Sequence, residues 1–331
     1  MKKIIAILAV CFTTAPAFAQ SMAGVKGKID TSYNNNVAYR SVVKNWPHAK
    51  IVSEFHSSSF KEKRNVVYCK LHSDSGERKL LLDAFYPKGK TKIKRTAIII
   101  IHGGGWRSGN RSQHYPLAQH LAHLGYACFT PEYRLSTEAL YPAAIFDLKS
   151  AIRWVRKNAK KYNIDTAKIT VLGFSAGGEL AAFMGATNEN VGFEGTEDHL
   201  NYSSKVNAVV DIDGTLSFVH PESSEGDDSK KTSAGTYWFG YSKKENSELW
   251  TQASPLTHAG KLTSPTLFIN SSVDRMHAGR DDYIKILTGY NIYTEVQRFE
   301  NTPHHFCLMD PWFEPTVKYT DEFFKKIFSV K

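Results

Sequence analysis

Residues 173–177 read Gly-Phe-Ser-Ala-Gly. This stretch directly follows the apolar run 169–172 and precedes a run with helical apolar spacing at 179–185. A serine between glycines at a strand-to-helix turn is typical of a nucleophile elbow, where the small flanking residues let strand and helix approach each other. An ordinary glycine-rich turn is the alternative interpretation. The elbow predicts that the Ser175 hydroxyl points out of a sheet.

A second glycine-rich motif supports the elbow. Residues 102–106 read His-Gly-Gly-Gly-Trp and end the β-branched run 96–101. Acyl transfer builds negative charge on a carbonyl oxygen, and main-chain N–H groups that are already in place can stabilise that charge. The motif predicts an oxyanion hole formed by the N–H groups of Gly104, Gly105 and Ala176. A loop that merely needs unusual dihedral angles is the alternative.

A serine nucleophile needs a general base and an acid that orients it. In folds that carry a nucleophile elbow on a mostly parallel sheet, the chain order is serine, acid, histidine. Asp274 follows a later strand-like run, and His304 and His305 follow the last one. We predict Asp274 as the acid and His304 as the base, with His305 as the rival base. Asp281 is the rival acid, although its place in Arg-Asp-Asp is more typical of a helix cap.

Strand-like and helical runs alternate from residue 66 onward, which predicts an α/β fold with a mostly parallel central sheet and helices on both faces. We expect an irregular N-terminal extension at 20–65, a catalytic domain at 66–331, and a lid-like insertion at 215–262. The strand-like runs are 66–71, 80–86, 96–101, 127–130, 169–172, 206–212, 266–269 and 293–299, and the helical runs are 113–124, 143–162, 179–185 and 315–328.

Composition and charge exclude several classes of protein. The chain has 331 residues, of which 42% are hydrophobic and 22% charged, so it is neither disordered nor fibrous. Its formal net charge is +10, but the basic residues are spread along the chain, which argues against a nucleic-acid partner. A basic loop occupies residues 88–95. It is typical of a solvated connection, and contact with an acidic polysaccharide is the alternative.

The first residues and the cysteines indicate the cellular compartment in which the protein resides. Residues 1–19 combine a basic start, a short apolar run and an Ala-Phe-Ala end, which predicts a secretory signal peptide and export to the periplasm or beyond. No stretch is long enough to predict a membrane span. Cys11 would leave with the signal. Cys69, Cys128 and Cys307 are too irregularly spaced for a zinc site, and we expect small buried groups, with one disulfide as the alternative.

Several separate motifs together resemble the α/β-hydrolases of the hormone-sensitive-lipase-like group, and most closely its bifunctional feruloyl and acetyl-xylan esterases. The motifs are residues 102–106, 131–135, 141–144 and 173–178, and the resemblance runs from about residue 78 to the C-terminus. Glu132 and Phe174 stand where the group often has Asp. The resemblance implies the α/β-hydrolase fold and deacylation of decorated plant polysaccharides, with no metal or organic cofactor.

These observations favour an exported serine carboxylesterase that removes acetyl or feruloyl groups from carbohydrate. Trp106, Trp238 and Trp312 could contact sugar rings, and packing in the core or lid is the alternative for such aromatics. A lipase or aryl-amide hydrolase on the same scaffold would instead prefer long acyl chains or amides. A catalytically dead carbohydrate-binding relative is the non-enzyme alternative. The sequence specifies no oligomeric state.

Overall fold

The computed structural model describes residues 25–73, 76–89, 91–196 and 198–328. The predicted signal peptide, residues 1–19, lies outside these ranges. The described strands are β1 (Lys50–Ile51), β2 (Phe60–Ser73), β3 (Gly76–Pro87), β4 (Arg95–Ile101), β5 (Ala127–Pro131), β6 (Ile164–Phe174), β7 (Ala208–Ile212), β8 (Thr266–Asn270), β9 (Thr294–Arg298) and β10 (Met309–Asp310). The described helices are α1 (Asn35–Val42), α2 (Tyr115–His123), α3 (Ala143–Lys157), α4 (Ala159–Tyr162), α5 (Ala176–Ala186), α6 (Ala234–Phe239), α7 (Ser247–Gln252), α8 (Pro255–His258), α9 (Arg280–Gly289) and α10 (Phe313–Phe328).

The central sheet has eight strands in the order β2-β3-β5-β4-β6-β7-β8-β9. The pairs β2–β3 and β3–β5 are antiparallel, and every other neighbouring pair is parallel. Because β4, β6 and β7 are parallel neighbours, their carboxyl ends meet at one edge of the sheet, where ligands bind in such folds. The mostly parallel α/β-hydrolase sheet predicted from the sequence is confirmed.

Strand β4 shows why the sheet is covered on both faces. Its residues 98–101 are all isoleucine and all buried. Ile99 and Ile101 pack into one hydrophobic cluster together with α3 and α5, whereas Ile98 and Ile100 pack into a second cluster with α2 and α10. Alternate side chains of a strand point to opposite faces, so an unbroken apolar run fits a strand between two helical layers.

The N-terminal extension is more ordered than its composition indicates. We predicted an irregular segment over 20–65, but the structure contains helix α1 and strand β1 there, and β2 already begins at Phe60. The Asn34 side chain caps α1 by accepting hydrogen bonds from the N–H groups of Asn36 and Val37. Asparagine is a favoured N-cap residue, so the polar run that suggested a loop is a helix start.

The insertion at 215–262 is folded into the domain. It carries α6, α7 and α8, and its side chains Phe218, Trp238 and Trp250 are buried in the same hydrophobic cluster as α3 and α5. Within the described part of the chain no helix combines the length and apolarity needed to cross a bilayer. The cysteines at 69, 128 and 307 are buried and not joined in disulfides.

Candidate active site

Ser175 occupies a tight turn between β6 and α5. Its backbone has φ +58° and ψ −123°, a conformation that side-chain-bearing residues rarely adopt, and its N–H donates to the carbonyl of Ile212 at 2.8 Å. A Cβ on Gly173 would overlap the backbone of Gly177, so only glycine allows this close approach. The turn predicted from the sequence is therefore present.

His304 connects Ser175 to a buried carboxylate. The imidazole Nε2 lies 2.9 Å from Ser175 Oγ, and Nδ1 lies 2.9 Å from Asp213 Oδ2. With Nδ1–H donating to Asp213, the lone pair on Nε2 faces the serine hydroxyl. The ring also packs against Phe174, with 4.8 Å between ring centroids, which fixes its orientation from the side.

Asp213 directly follows β7 and is fully buried. Its φ of +50° turns the side chain toward the histidine loop. Its N–H donates to the carbonyl of Ile269 at 3.1 Å, and its Oδ1 accepts the N–H of Ser271 at 2.8 Å. Because Oδ2 accepts a hydrogen bond from His304, both carboxylate oxygens are held in place.

The structure does not place Asp274 at the histidine, so the predicted acid is corrected to Asp213. The Asp274 side chain is 74% exposed and lies 3.3 Å from Arg298. The chain turns into a short 3₁₀ helix at Asp274–His277, which directs this carboxylate outward. The rival acid Asp281 pairs with Arg280 in the first turn of α9. Residues 211–214, Asp-Ile-Asp-Gly, end a strand that neighbours the serine strand, and this signal could have identified Asp213.

His305 lies against the N-terminal extension rather than Ser175. Its Nδ1 is 3.5 Å from Ser41 Oγ, and its ring lies 6.0 Å from Tyr33 between centroids. Burial lowers the pKa of His305 to about 3, and the neighbouring His304 contributes in the same direction. Of the two adjacent histidines, His304 is the one that contacts the serine.

Two of the three predicted oxyanion donors border the cavity at Ser175. Gly105 and Ala176 line this cavity, and within the described residues their N–H groups donate to no protein acceptor. Gly104 precedes them with φ +125°, and a Cβ there would overlap the Ser108 carbonyl. Main-chain donors without a partner, close to a serine hydroxyl, can receive a developing negative charge.

The cavity beside Ser175 is small, at about 70 Å³. Its walls combine residues of the glycine loop, the elbow, the insertion and the segment after β8: Gly105, Trp106, Ala176, Thr215, Ser223, Glu225, Ala234, Arg275 and Met276. A short acyl group fits such a space, and a long chain would have to leave it.

The three candidate tryptophans have different environments. Trp106 lines the cavity and donates from Nε1 to Glu179 Oε2 at 2.9 Å. Trp238 is fully buried and stacks on Trp106, with 4.9 Å between centroids and 8° between planes. Trp312 is 9% exposed and packs beside His48, away from the cavity. The prediction of sugar contacts is therefore wrong for Trp238, whose ring is fully buried, and for Trp312, which does not line this cavity.

Two buried carboxyl groups lie below the serine turn. Burial raises the pKa values of Glu179 and Asp211 well above their usual range, and their mutual proximity raises that of Glu179 further. The Asp211 Oδ1 accepts the Gly214 N–H at 2.7 Å. Both carboxyl groups therefore lie in surroundings that disfavour their ionised form. No group of three or more His, Cys, Asp or Glu side chains in the described ranges is arranged to hold a metal ion.

Comparison with protein families gives a match over the centre of the chain. The family profile described as BD-FAE matches residues 82–278. Esterase LipC of Mycobacterium tuberculosis is 35% identical over 135 residues, which are 40% of this chain and 33% of LipC. Esterase LipQ of the same organism is 34% identical over 143 residues, 41% of this chain and 34% of LipQ. The match thus spans about a third of the length of these relatives.

Solved structures match more of the chain. A truncated carbohydrate esterase from gut microbiota superposes with a TM-score of 0.69 at 25% identity, covering 83% of this chain and 100% of that one. A thermophilic esterase from Thermogutta terrifontis, bound to propionate, superposes with a TM-score of 0.64 at 25% identity, covering 82% of this chain and 95% of that one. Both structures share the fold described above.

Proposed function

Because the chain belongs to the BD-FAE family of hormone-sensitive-lipase-like esterases, we propose that it is a serine carboxylesterase that removes acetyl groups from carbohydrate. The observation that carries the proposal is the continuous contact from Ser175 Oγ through His304 to Asp213, with 2.9 Å at each step. This is the arrangement that activates a serine hydroxyl for attack on a carbonyl carbon.

In the first step Ser175 Oγ attacks the ester carbonyl carbon while His304 Nε2 takes the hydroxyl proton. The carbonyl oxygen becomes an oxyanion, which the N–H groups of Gly105 and Ala176 stabilise. Asp213 stabilises the resulting imidazolium through Nδ1–H. The intermediate then collapses, the bond from carbon to the sugar oxygen breaks, and His304 returns the proton to the leaving alcohol.

In the second step water attacks the acetyl-serine ester. His304 removes a proton from the water, and the same N–H groups hold the second oxyanion. The bond from the carbonyl carbon to Ser175 Oγ then breaks, His304 returns its proton to Oγ, and acetic acid leaves. Every catalytic group in this cycle belongs to the chain, and the ester and one water molecule are the two reactants.

The size of the cavity supports a short acyl group. The space of about 70 Å³ is far below the 300–1,000 Å³ or so of pockets that enclose drug-sized ligands. A feruloyl group or a fatty chain would not fit inside it without rearrangement. This favours acetyl esters over the lipase alternative, and the match to an esterase that binds propionate agrees with a small acyl group.

The leaving alcohol is proposed to be a carbohydrate hydroxyl. The cavity wall carries hydroxyls of Thr215 and Ser223 and the charged groups of Glu225 and Arg275, which can hydrogen-bond to sugar hydroxyls. The similar structure from gut microbiota is described as a carbohydrate esterase, which supports the same substrate class for this chain.

We further propose that the protein is exported. The support is the pattern of residues 1–19, which places a basic start before a short apolar run and a small-residue cleavage site. Expression with the full N-terminus should yield a protein whose first residue, by N-terminal sequencing, is Gln20. A protein that stays with the cells and still begins at Met1 would contradict the proposed export.

The test of the proposed activity compares wild type with Ser175→Ala on nitrophenyl acetate and on acetylated xylan. Acetate release should fall at least ~10³-fold in the variant, as expected when a serine nucleophile is removed. Nitrophenyl palmitate and an aryl acetamide should be poor substrates of the wild type. Faster turnover of either one would favour a lipase or an amide hydrolase, and no turnover of any ester would indicate a non-catalytic relative.

A further inference from the structure

A second, larger concavity lies away from Ser175. It has a volume of about 600 Å³, and we call it the basic groove, defined by Lys61, Tyr86, Lys88, Arg95, Lys160 and Lys161. These residues come from β2, β3, the loop that follows β3, the start of β4, and α4.

The basic groove lies at the opposite end of the sheet from the serine. Arg95 begins β4, whereas the glycine loop follows Ile101 at the other end of the same strand. A strand rises about 3.3 Å per residue, so the two ends are roughly 20 Å apart. The groove is therefore not part of the cavity that takes the acyl group.

Within the described part of the chain, the cations of the groove have no acidic partners. None of its four lysines forms an ion pair with any carboxylate that the structure describes. The Arg95 guanidinium donates to the carbonyls of Tyr162 and Gly89, and among the described residues it contacts no carboxylate. Like charges held together destabilise a fold through their repulsion, so an anionic ligand would relieve that cost.

The groove also offers a ring surface and polar groups beside the cations. Tyr86 is half-buried and is held edge-on against Tyr162, with 5.0 Å between centroids. Thr91 and Asn163 complete part of the wall. A fixed aromatic ring with hydrogen-bonding groups in the same groove suits the face of a sugar, and the cations of the groove suit carboxylates.

We propose that the basic groove binds an acidic glycan, a polymer that carries uronate carboxylates, and thereby retains the enzyme on the material whose esters it cleaves. The choice of a glycan rests on the proposed function, in which the substrate is carbohydrate. The cations of the groove favour an anionic polymer, and the Tyr86 ring favours one built of sugars.

The test is affinity electrophoresis of the full chain in native gels that contain polygalacturonate or unsubstituted xylan. Wild type should be retarded by polygalacturonate and not by the neutral polymer, and retardation should weaken as salt is added. The double variant Lys160→Glu/Lys161→Glu should bind polygalacturonate about tenfold more weakly, because two exposed cations become anions. Lys88→Glu, in the loop that follows β3, should also weaken binding to polygalacturonate.

The matched control is Lys261→Glu/Lys285→Glu, which makes the same change in net charge at exposed positions outside the groove. It should bind within twofold of wild type, and all variants should keep wild-type turnover of nitrophenyl acetate. Equal weakening in the control, or tighter retardation by single-stranded DNA than by polygalacturonate, would overturn the proposal. Ester hydrolysis without polyuronate binding would refute the groove alone, and polyuronate binding without hydrolysis would refute only the proposed esterase.

Discussion

Asp213 Oδ2 lies 2.9 Å from His304 Nδ1, and Asp213 directly follows β7, whereas the predicted acid, Asp274, follows β8. The two segments cooperate, because the Ser271 N–H from the β8 side holds the other oxygen of the same carboxylate at 2.8 Å. Since β7 lies directly beside β6 in the sheet, the acid and the serine reach the histidine from neighbouring strand ends.

This geometry predicts which aspartate supports catalysis. Asp213→Asn should lower kcat for nitrophenyl acetate by about 10³–10⁴-fold, because an amide cannot hold the imidazole in the required tautomer or stabilise its charged form. Asp274→Asn should change kcat less than about twofold, since that side chain is exposed and pairs with Arg298. The measurement is steady-state kinetics on both purified variants. A large loss in Asp274→Asn with a small loss in Asp213→Asn would restore the original assignment.

The oxyanion hole predicts a second selective loss. Gly105→Ala should lower kcat by about 10²-fold, because a Cβ would lie 2.9 Å from the Ala234 Cβ and displace the N–H that faces the cavity. Gly27→Ala is the matched control, since its φ of +64° resembles the +60° of Gly105 but no atom lies within 4 Å of the new Cβ. The control should retain wild-type kcat. Equal kcat losses in both variants would show that backbone strain, rather than a misplaced donor, causes the effect.

The sequence predicted the parts of the site that short motifs encode. The glycines around Ser175 and after β4 are visible as short motifs. Gly173 is required by the close approach of Gly177, four residues later, whereas Gly177 is required by the backbone at Ile101 from the other motif. The histidine follows the last strand of the sheet, and its loop was also found. Only the choice between His304 and His305 needed the structure, because adjacent residues in a loop point in different directions.

Local patterns could not decide which of the aspartates is the acid, or whether an aromatic ring is buried. Whether Asp213 or Asp274 faces the histidine depends on how two loops fold beside each other, which is a long-range property. Trp238 lies in a polar, aromatic insertion, yet its ring is buried against Trp106. Helix α1 was missed because its asparagine-rich start resembles a loop until the cap hydrogen bonds are seen.

The small cavity predicts that acyl preference can be altered. Met276 lines the cavity, so Met276→Ala should enlarge it and raise the ratio of kcat/KM for butyrate over acetate esters by about tenfold. The control is Met276→Leu, which nearly conserves side-chain volume and should leave the ratio within about twofold. Both are measured on nitrophenyl esters of two to six carbons. An unchanged ratio in Met276→Ala would mean that the acyl group binds elsewhere.

The buried Glu179 predicts a pH-dependent change in stability. Its folded-state pKa is raised well above 4.5, so the stability it contributes is complete below about pH 4.5 and is lost as pH rises toward the folded value, because the unfolded chain releases the proton first. Glu179→Gln removes this loss and keeps an oxygen for the Trp106 N–H. Its gain in unfolding free energy over wild type should therefore be near zero at pH 4.5 and grow with pH above that value, by at most about 1.4 kcal/mol per pH unit. Urea unfolding at several pH values measures this difference, and Glu248→Gln, at an exposed position, should show no such growth. A difference that stays constant with pH would mean that Glu179 binds its proton equally in the folded and unfolded states.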